Sequence, residues 1–246
     1  MTQITIFVFM NLNDFYEKGA QLFLPNLSVD LVIIGYTDSK LKCLLLQLGD
    51  KWILPGGYIL RTESVDDATL RILQERTGLD DPHFKFLSVF GGKDRKFTEE
   101  WRQFFKINNL PFKEDYWTND RFVTLAYYSL VDFESTTPVI GNLDTAFGWF
   151  DLDQLPNMMM DHKEIVLTAK ERLKEDVRHE YLSYNLLAED FTMPQLHQLH
   201  QTILGEELDR SRFQKKMLAS GMFERLPKLQ TDSPGRKPYL YRVKKD

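Results

Sequence analysis

The sequence predicts an α+β chain in which strands come first and a helix-turn-helix closed by a β-wing comes last. Three observations carry this. The first half holds short aliphatic and aromatic runs of strand length. At its centre a strand ends at Pro55-Gly56-Gly57 and a capped amphipathic helix follows. Residues 191–246 then hold two short capped helices and a strand–turn–strand, with 11 Lys and Arg against 6 Asp and Glu.

Val29–Tyr36 and Lys42–Leu48 read as strands joined by the turn-like Thr37-Asp38-Ser39. After Pro55-Gly56-Gly57, Ser64 is placed to cap a helix, with Asp66 and Asp67 in its first turn. Val65, Ala68, Thr69, Ile72 and Leu73 share one face of that helix, and Gly78 stops it. Phe86–Phe90 and Arg121–Val131 are further strands. Between them, residues 97–117 look like an insertion with its own aromatics: Trp101, Phe104, Phe105, Phe112, Tyr116 and Trp117. From Asp161 the pattern turns helical, with Ile165, Thr168, Ala169 and Leu173 on one stripe. The module boundary falls near residues 155–190.

Thr192, with Gln195 three residues on, forms a capping box, and Pro194 suits a first turn. Leu196, Leu199, Ile203 and Leu204 make a stripe that Gly205 ends. Asp209 caps a second helix, Arg210–Ser220, closed by Gly221. Two short helices with a turn between them read as a helix-turn-helix. On the second, Phe213 and Met217 face inward, while Ser211, Arg212 and Lys215 face outward with Gln214 on the flank. That division suits a recognition helix, which buries one face and offers cations and amides to bases and phosphates. Met222–Leu226 and Tyr239–Val243 flank a turn carrying Arg236 and Lys237, a wing with two cations at its tip. The nucleic-acid candidates are Arg210, Ser211, Arg212, Gln214, Lys215, Lys216, Arg236 and Lys237. His197 and His200, three apart, read as surface or core histidines and not as metal ligands.

The 246 residues are 43% hydrophobic and 27% charged, enough to bury a core. The net charge of −5 divides into +5 for the tail and −10 for residues 1–190, so the basic end is the part expected to meet a polyanion. A single cysteine, Cys43, excludes a disulfide framework. The apolar run Ile4–Met10 is short of the roughly 20 residues of a membrane span, and no basic segment precedes it. A soluble, cytoplasmic protein without membrane attachment is expected.

Gly57, Glu63, Arg71, Leu73, Glu75, Gly78 and Leu79 stand at the spacings of the Nudix box: glycine, five residues, glutamate, seven residues, then R-E-U-x-E-E-x-G-U with U aliphatic. The segment resembles that box, which implies a mixed sheet sandwiched by helices. In Nudix hydrolases the E-x-x-E-E carboxylates hold a divalent metal against a pyrophosphate. Here those positions read Ile72, Glu75 and Arg76. One carboxylate is too few for a hard cation that takes octahedral oxygen ligands, so no metal site, no cofactor and no enzyme activity are expected. Arg71 and Glu75 are placed for an i,i+4 ion pair.

The order of modules is similar to that of the Nudix-related transcriptional regulators, a bacterial family with a Nudix-like effector domain before a winged helix-turn-helix. The expected division is an N-terminal extension (1–28), a sensing domain (29–160), connecting helices (161–190) and a DNA-binding domain (191–246). The resemblance implies a homodimer on double-stranded operator DNA whose affinity changes with a small-molecule effector. The favoured expectation is a repressor of sugar catabolism responding to a pentose such as arabinose. The alternatives are an ADP-ribose-responsive regulator of NAD metabolism, and a Mg²⁺-dependent hydrolase of ADP-ribose or another nucleoside diphosphate derivative. Candidate ligand residues are Trp52, Tyr58, Arg61, Arg71 and Glu75. The competing reading makes Trp52 core and Arg61 a surface charge. The acidic body and the aromatic insertion are candidates for the dimer surface.

Overall fold

The computed structural model describes residues 12–79, 83–140, 144–179, 182–230 and 237–244. The strand that organises it is β1 (Phe23–Thr37), preceded by the helix α1 (Leu12–Leu22). One edge of β1 pairs in parallel with β6 (Val123–Leu130), from Leu27↔Val123 to Ile34↔Leu130. The other edge has two successive antiparallel partners. These are β4 (Gly56–Leu60) at Val29↔Gly57 and Asp30↔Gly56, then β2 (Lys40–Leu48) from Ile34↔Cys43. β2 also pairs with β3 (Lys51–Ile53) and β7 (Ala146–Asp151), and β5 (Phe84–Phe90) adds to β6. The result is a mixed sheet of seven strands.

Helix α2 (Val65–Thr77) covers one face. Ser64 accepts a hydrogen bond from the Asp67 N–H in a full capping box, and Gly78 ends the helix at φ 69°. Ala68, Ile72 and Leu73 pack against Val29, Leu31 and Ile33. Helix α4 (His162–His179) covers the other face. Its Ile165, Val166, Ala169, Leu173 and Val177 join one continuous core with Val32, Ile34 and Tyr128 of the sheet.

Two sequence expectations are corrected here. Residues 12–28 are part of the domain and not an extension from it. Phe15, Tyr16 and Phe23 form a third core with the insertion, which carries helix α3 (Thr98–Ile107). The alternation expected of a strand is broken by Asn26, at φ 63°, and the register with β4 shifts between Phe23 and Ser28. The insertion's aromatics are also committed within the chain. Trp101, Phe104, Phe105 and Tyr116 are buried, with Tyr16 stacked on Tyr116 at 5.2 Å, so these side chains are not available to a partner.

The C-terminal module begins after a 3₁₀ turn, Leu182–Leu186. Its elements are β8 (Phe191–Thr192), α5 (Met193–Leu204), α6 (Arg210–Ala219), β9 (Phe223–Lys228) and β10 (Tyr239–Val243), with β10 central in a three-stranded sheet. The expected wing tip at Arg236 lies outside the described residues. The core around α4 continues without a break into Leu196, Leu199, Phe213 and Met217. Among the described residues no helix is long and apolar enough to cross a membrane.

Candidate functional site

A cleft opens over β1 and β4, bounded by the start of α4 and by the aromatic insertion. Phe97, Trp101, Phe122 and Met160 give it apolar walls, and Asp30, Arg76, Arg95, Asp144 and His162 give it polar groups. Its cavity volume is about 120 Å³.

Asp30 is the only charged residue of β1 and is buried, which is tolerable only if it is paired. Arg95 supplies the partner. Its Nη2 donates to Asp30 Oδ2 at 3.3 Å, while Nε and Nη2 donate to the two oxygens of Asp161 at 2.8 and 3.1 Å. Nη1 donates to the Phe122 carbonyl at 3.3 Å. His162 opens α4. The Leu54 N–H donates to its Nδ1 at 2.9 Å, which leaves the ring proton on Nε2, 3.8 Å from Asp30 Oδ1. Burial lowers the His162 pKa against the pull of Asp30, so the ring is neutral at pH 7. Gly56 is required by this packing, because a Cβ there would lie 2.7 Å from Asp30 Oδ1 and from the Val29 carbonyl.

Of the five predicted ligand residues, Tyr58 lines the cleft and the other four do not. Burial and the nearby Asp30 push the Tyr58 phenol well above its usual pKa. Trp52 packs edge-on against Phe150 at 4.5 Å, and Arg61 is exposed, donating to the Ala20 carbonyl at 3.0 Å. Trp52 is half-buried and Arg61 lies on the surface. Arg71 is turned to its own neighbours. It donates to Glu63 at 2.6 and 2.9 Å, to the Tyr58 carbonyl at 3.0 Å and to Glu75 at 3.4 Å. Asp30, Arg95 and His162 were missed as site residues. The available signals were a lone carboxylate inside an apolar strand and a histidine at a helix start.

In the C-terminal module, Thr192 caps α5 by accepting from the Gln195 N–H, and Asp209 caps α6 by accepting from the Arg212 N–H. Phe213 and Met217 are buried. The Phe213 ring lies 5.1 Å from His197 and 4.9 Å from His200, which lock it in place. His200 shares a 2.8 Å hydrogen bond with Ser183, and burial lowers its pKa to about 4. On the opposite side Arg210, Ser211, Arg212, Gln214, Lys215 and Lys216 are all exposed. Lys237 is half-buried two residues before β10. The wing adds two exposed cations that sequence reading passed over: Arg225, 4.2 Å over the Tyr239 ring, and Lys228, 5.4 Å from it. Among the described residues none of Arg210, Arg212, Lys215, Lys216, Arg225 and Lys228 is in an ion pair. Arg242, by contrast, is tied to Asp190 at 2.6 and 2.9 Å.

The NUDIX domain family model matches residues 27–169. The chain belongs to the Nudix family. Behind this Nudix domain, residues 183–243 match the NrtR DNA-binding winged helix domain. The chain is similar to the ADPR responsive transcriptional repressor NtrR of Acinetobacter baylyi, at 26% identity over 228 residues, covering 89% of this chain and 82% of that protein. It is also similar to the crystal structure of Shewanella oneidensis NrtR, at 26% identity and a TM-score of 0.71, covering 89% and 94% of the two chains. The same protein complexed with a 27mer DNA gives 25% identity and a TM-score of 0.68, covering 89% and 93%.

At the three positions where the Nudix box carries metal-binding carboxylates this chain has Ile72, Glu75 and Arg76. Ile72 is buried, and a Cβ on Gly57 would meet its Cδ1 at 3.0 Å. Glu75 is engaged by Arg71. Arg76 donates through Nη1 to Asp144 Oδ2 at 2.7 Å and brings a positive charge to the cleft lining.

Proposed function

We propose that this chain is a DNA-binding repressor whose Nudix domain senses a nucleotide-type effector, ADP-ribose or a close relative, without cleaving it. The observation that carries the reading is α6. One face of it is locked by Phe213 and Met217, and the other presents four cations and a glutamine with no carboxylate partner among the described residues. Cations left unpaired beside a Gln suit phosphates and base edges. The winged-helix match and the DNA-bound neighbour support the same conclusion.

The effector assignment rests on the Acinetobacter baylyi relative, which spans most of the chain and is named for its response to ADPR. It favours the ADP-ribose alternative over the pentose expected first. The reading that the protein is not an enzyme rests on Ile72 and Arg76, which leave one carboxylate for a metal. Two copies on a palindrome with half-sites about 34–36 Å apart would suit the motif, and the site of action would be the cytoplasm.

The test is fluorescence anisotropy with DNA from the region upstream of the protein's own gene, titrated in the presence of ADP-ribose, arabinose or ribose. ADP-ribose should release the DNA and the pentoses should not. Release by a pentose alone would restore the sugar reading. Mg²⁺-dependent turnover of ADP-ribose at about 1 s⁻¹ or faster would make the protein an enzyme.

A further inference from the structure

Arg76 and Arg95 are the two guanidinium groups of the cleft, and they are held differently. Arg95 is engaged at all three nitrogens: they donate to Asp30, to both oxygens of Asp161 and to the Phe122 carbonyl, and its side chain is 6% exposed. Arg76 donates through Nη1 to Asp144, and its Nε and Nη2 have no acceptor among the described residues. Its side chain keeps 13% exposure, whereas that of Asp144 keeps 2%. Asp144 is therefore the buried orienter and Arg76 the group that reaches the cleft.

A planar guanidinium held at one edge by a carboxylate offers its other edge as a preset fork for a second oxyanion. Arg76 is further fixed from α2, where its carbonyl accepts from the Val139 N–H at 3.0 Å. We propose that Arg76, oriented by Asp144, is a phosphate-binding group of this cleft, and that it takes a diphosphate ester without a metal ion. The assignment rests on the effector reading given above. It adds that the positive charge comes from this side chain in place of a bound cation.

The experiment is calorimetric titration of the full chain with ADP-ribose and, separately, with inorganic pyrophosphate, each in EDTA and in Mg²⁺. Both ligands should bind with the same affinity in either buffer. Arg76→Gln should weaken both about tenfold or more, the effect expected for losing hydrogen bonds to a charged group. Arg76→Lys should recover only part of the loss, because an ammonium cannot present the fork. Arg76→Gln takes the guanidinium away from the buried Asp144, so the double variant Arg76→Gln/Asp144→Asn is titrated alongside, with thermal melts of both; it should fold and still bind weakly.

Binding that vanishes in EDTA and returns with Mg²⁺, full affinity in the folded double variant, or no binding of either ligand by the wild type would each overturn the proposal. The effector reading fails separately. If pyrophosphate binds through Arg76 but ADP-ribose leaves the DNA complex intact, the phosphate site stands and the effector is another phosphorylated molecule.

Discussion

The salt dependence of DNA binding can be worked from the exposed cations. Arg210, Arg212, Lys215 and Lys216 on α6 and Arg225 and Lys228 on the wing have no carboxylate partner among the described residues. Each phosphate a cation neutralises contributes about −0.9 to the slope of log K against log salt. If all six meet phosphates, one chain contributes a slope of about −5. Raising salt from about 50 to about 200 mM would then weaken binding by about 10³. Fluorescence anisotropy on a duplex containing one half-site, across that salt range, measures the slope. Arg212→Ala and Lys215→Ala should each reduce it by about 1. A wild-type slope shallower than about −2, or an Arg212→Ala/Lys215→Ala double variant with the wild-type slope, would take the DNA off this face.

Three further outcomes are expected. Asp209→Ala removes the α6 cap and should cost about 1 kcal/mol of stability, seen in urea melts, while the salt slope stays unchanged because no cation is lost. His200 is held neutral by burial with a pKa of about 4, against about 6.5 in an unfolded chain. Its contribution is complete above about pH 6.5 and is lost as pH falls toward 4, by about 3 kcal/mol in all. Urea melts at pH 7 and pH 4.5 should therefore show a larger loss for the wild type than for His200→Gln, and equal losses would refute the buried-neutral assignment. Gly56→Ala places a methyl 2.7 Å from Asp30 Oδ1. It should cost about 1–3 kcal/mol in a thermal melt and should weaken ADP-ribose binding in the same preparation.

Legibility in the sequence followed the range of the interactions involved. The caps at Ser64 and Thr192 are each contained within four residues, and both positions were placed correctly, although the capping box itself was read only at Thr192. The inward face of α6 follows from helical periodicity and was also correct. The cleft was different. Asp30, Arg95 and His162 are brought together by β1, by the loop before α3 and by the start of α4, and no local spacing encodes that meeting. Trp52 and Arg61 lie beside the Pro-Gly-Gly turn in sequence, but the pleat turns Trp52 toward Phe150 and α1 takes up Arg61. The aromatic insertion looked like a surface because its partners, Phe15, Tyr16 and Phe23, precede the strand that sequence periodicity recognised.

The stripe of α4 is shared property. The side chains that seal the back of the seven-stranded sheet are continuous with those that seal α5 and α6. Cutting the chain between its modules would lay bare an oily flank on both pieces. The two halves should therefore melt in a single step, and an isolated C-terminal fragment should aggregate where the intact protein stays in solution. A molecule built this way has no slack tether to take up a shift at the sensor. Whatever displaces Asp161 and His162 pushes on the same rod that supports Phe213 and Met217 of α6.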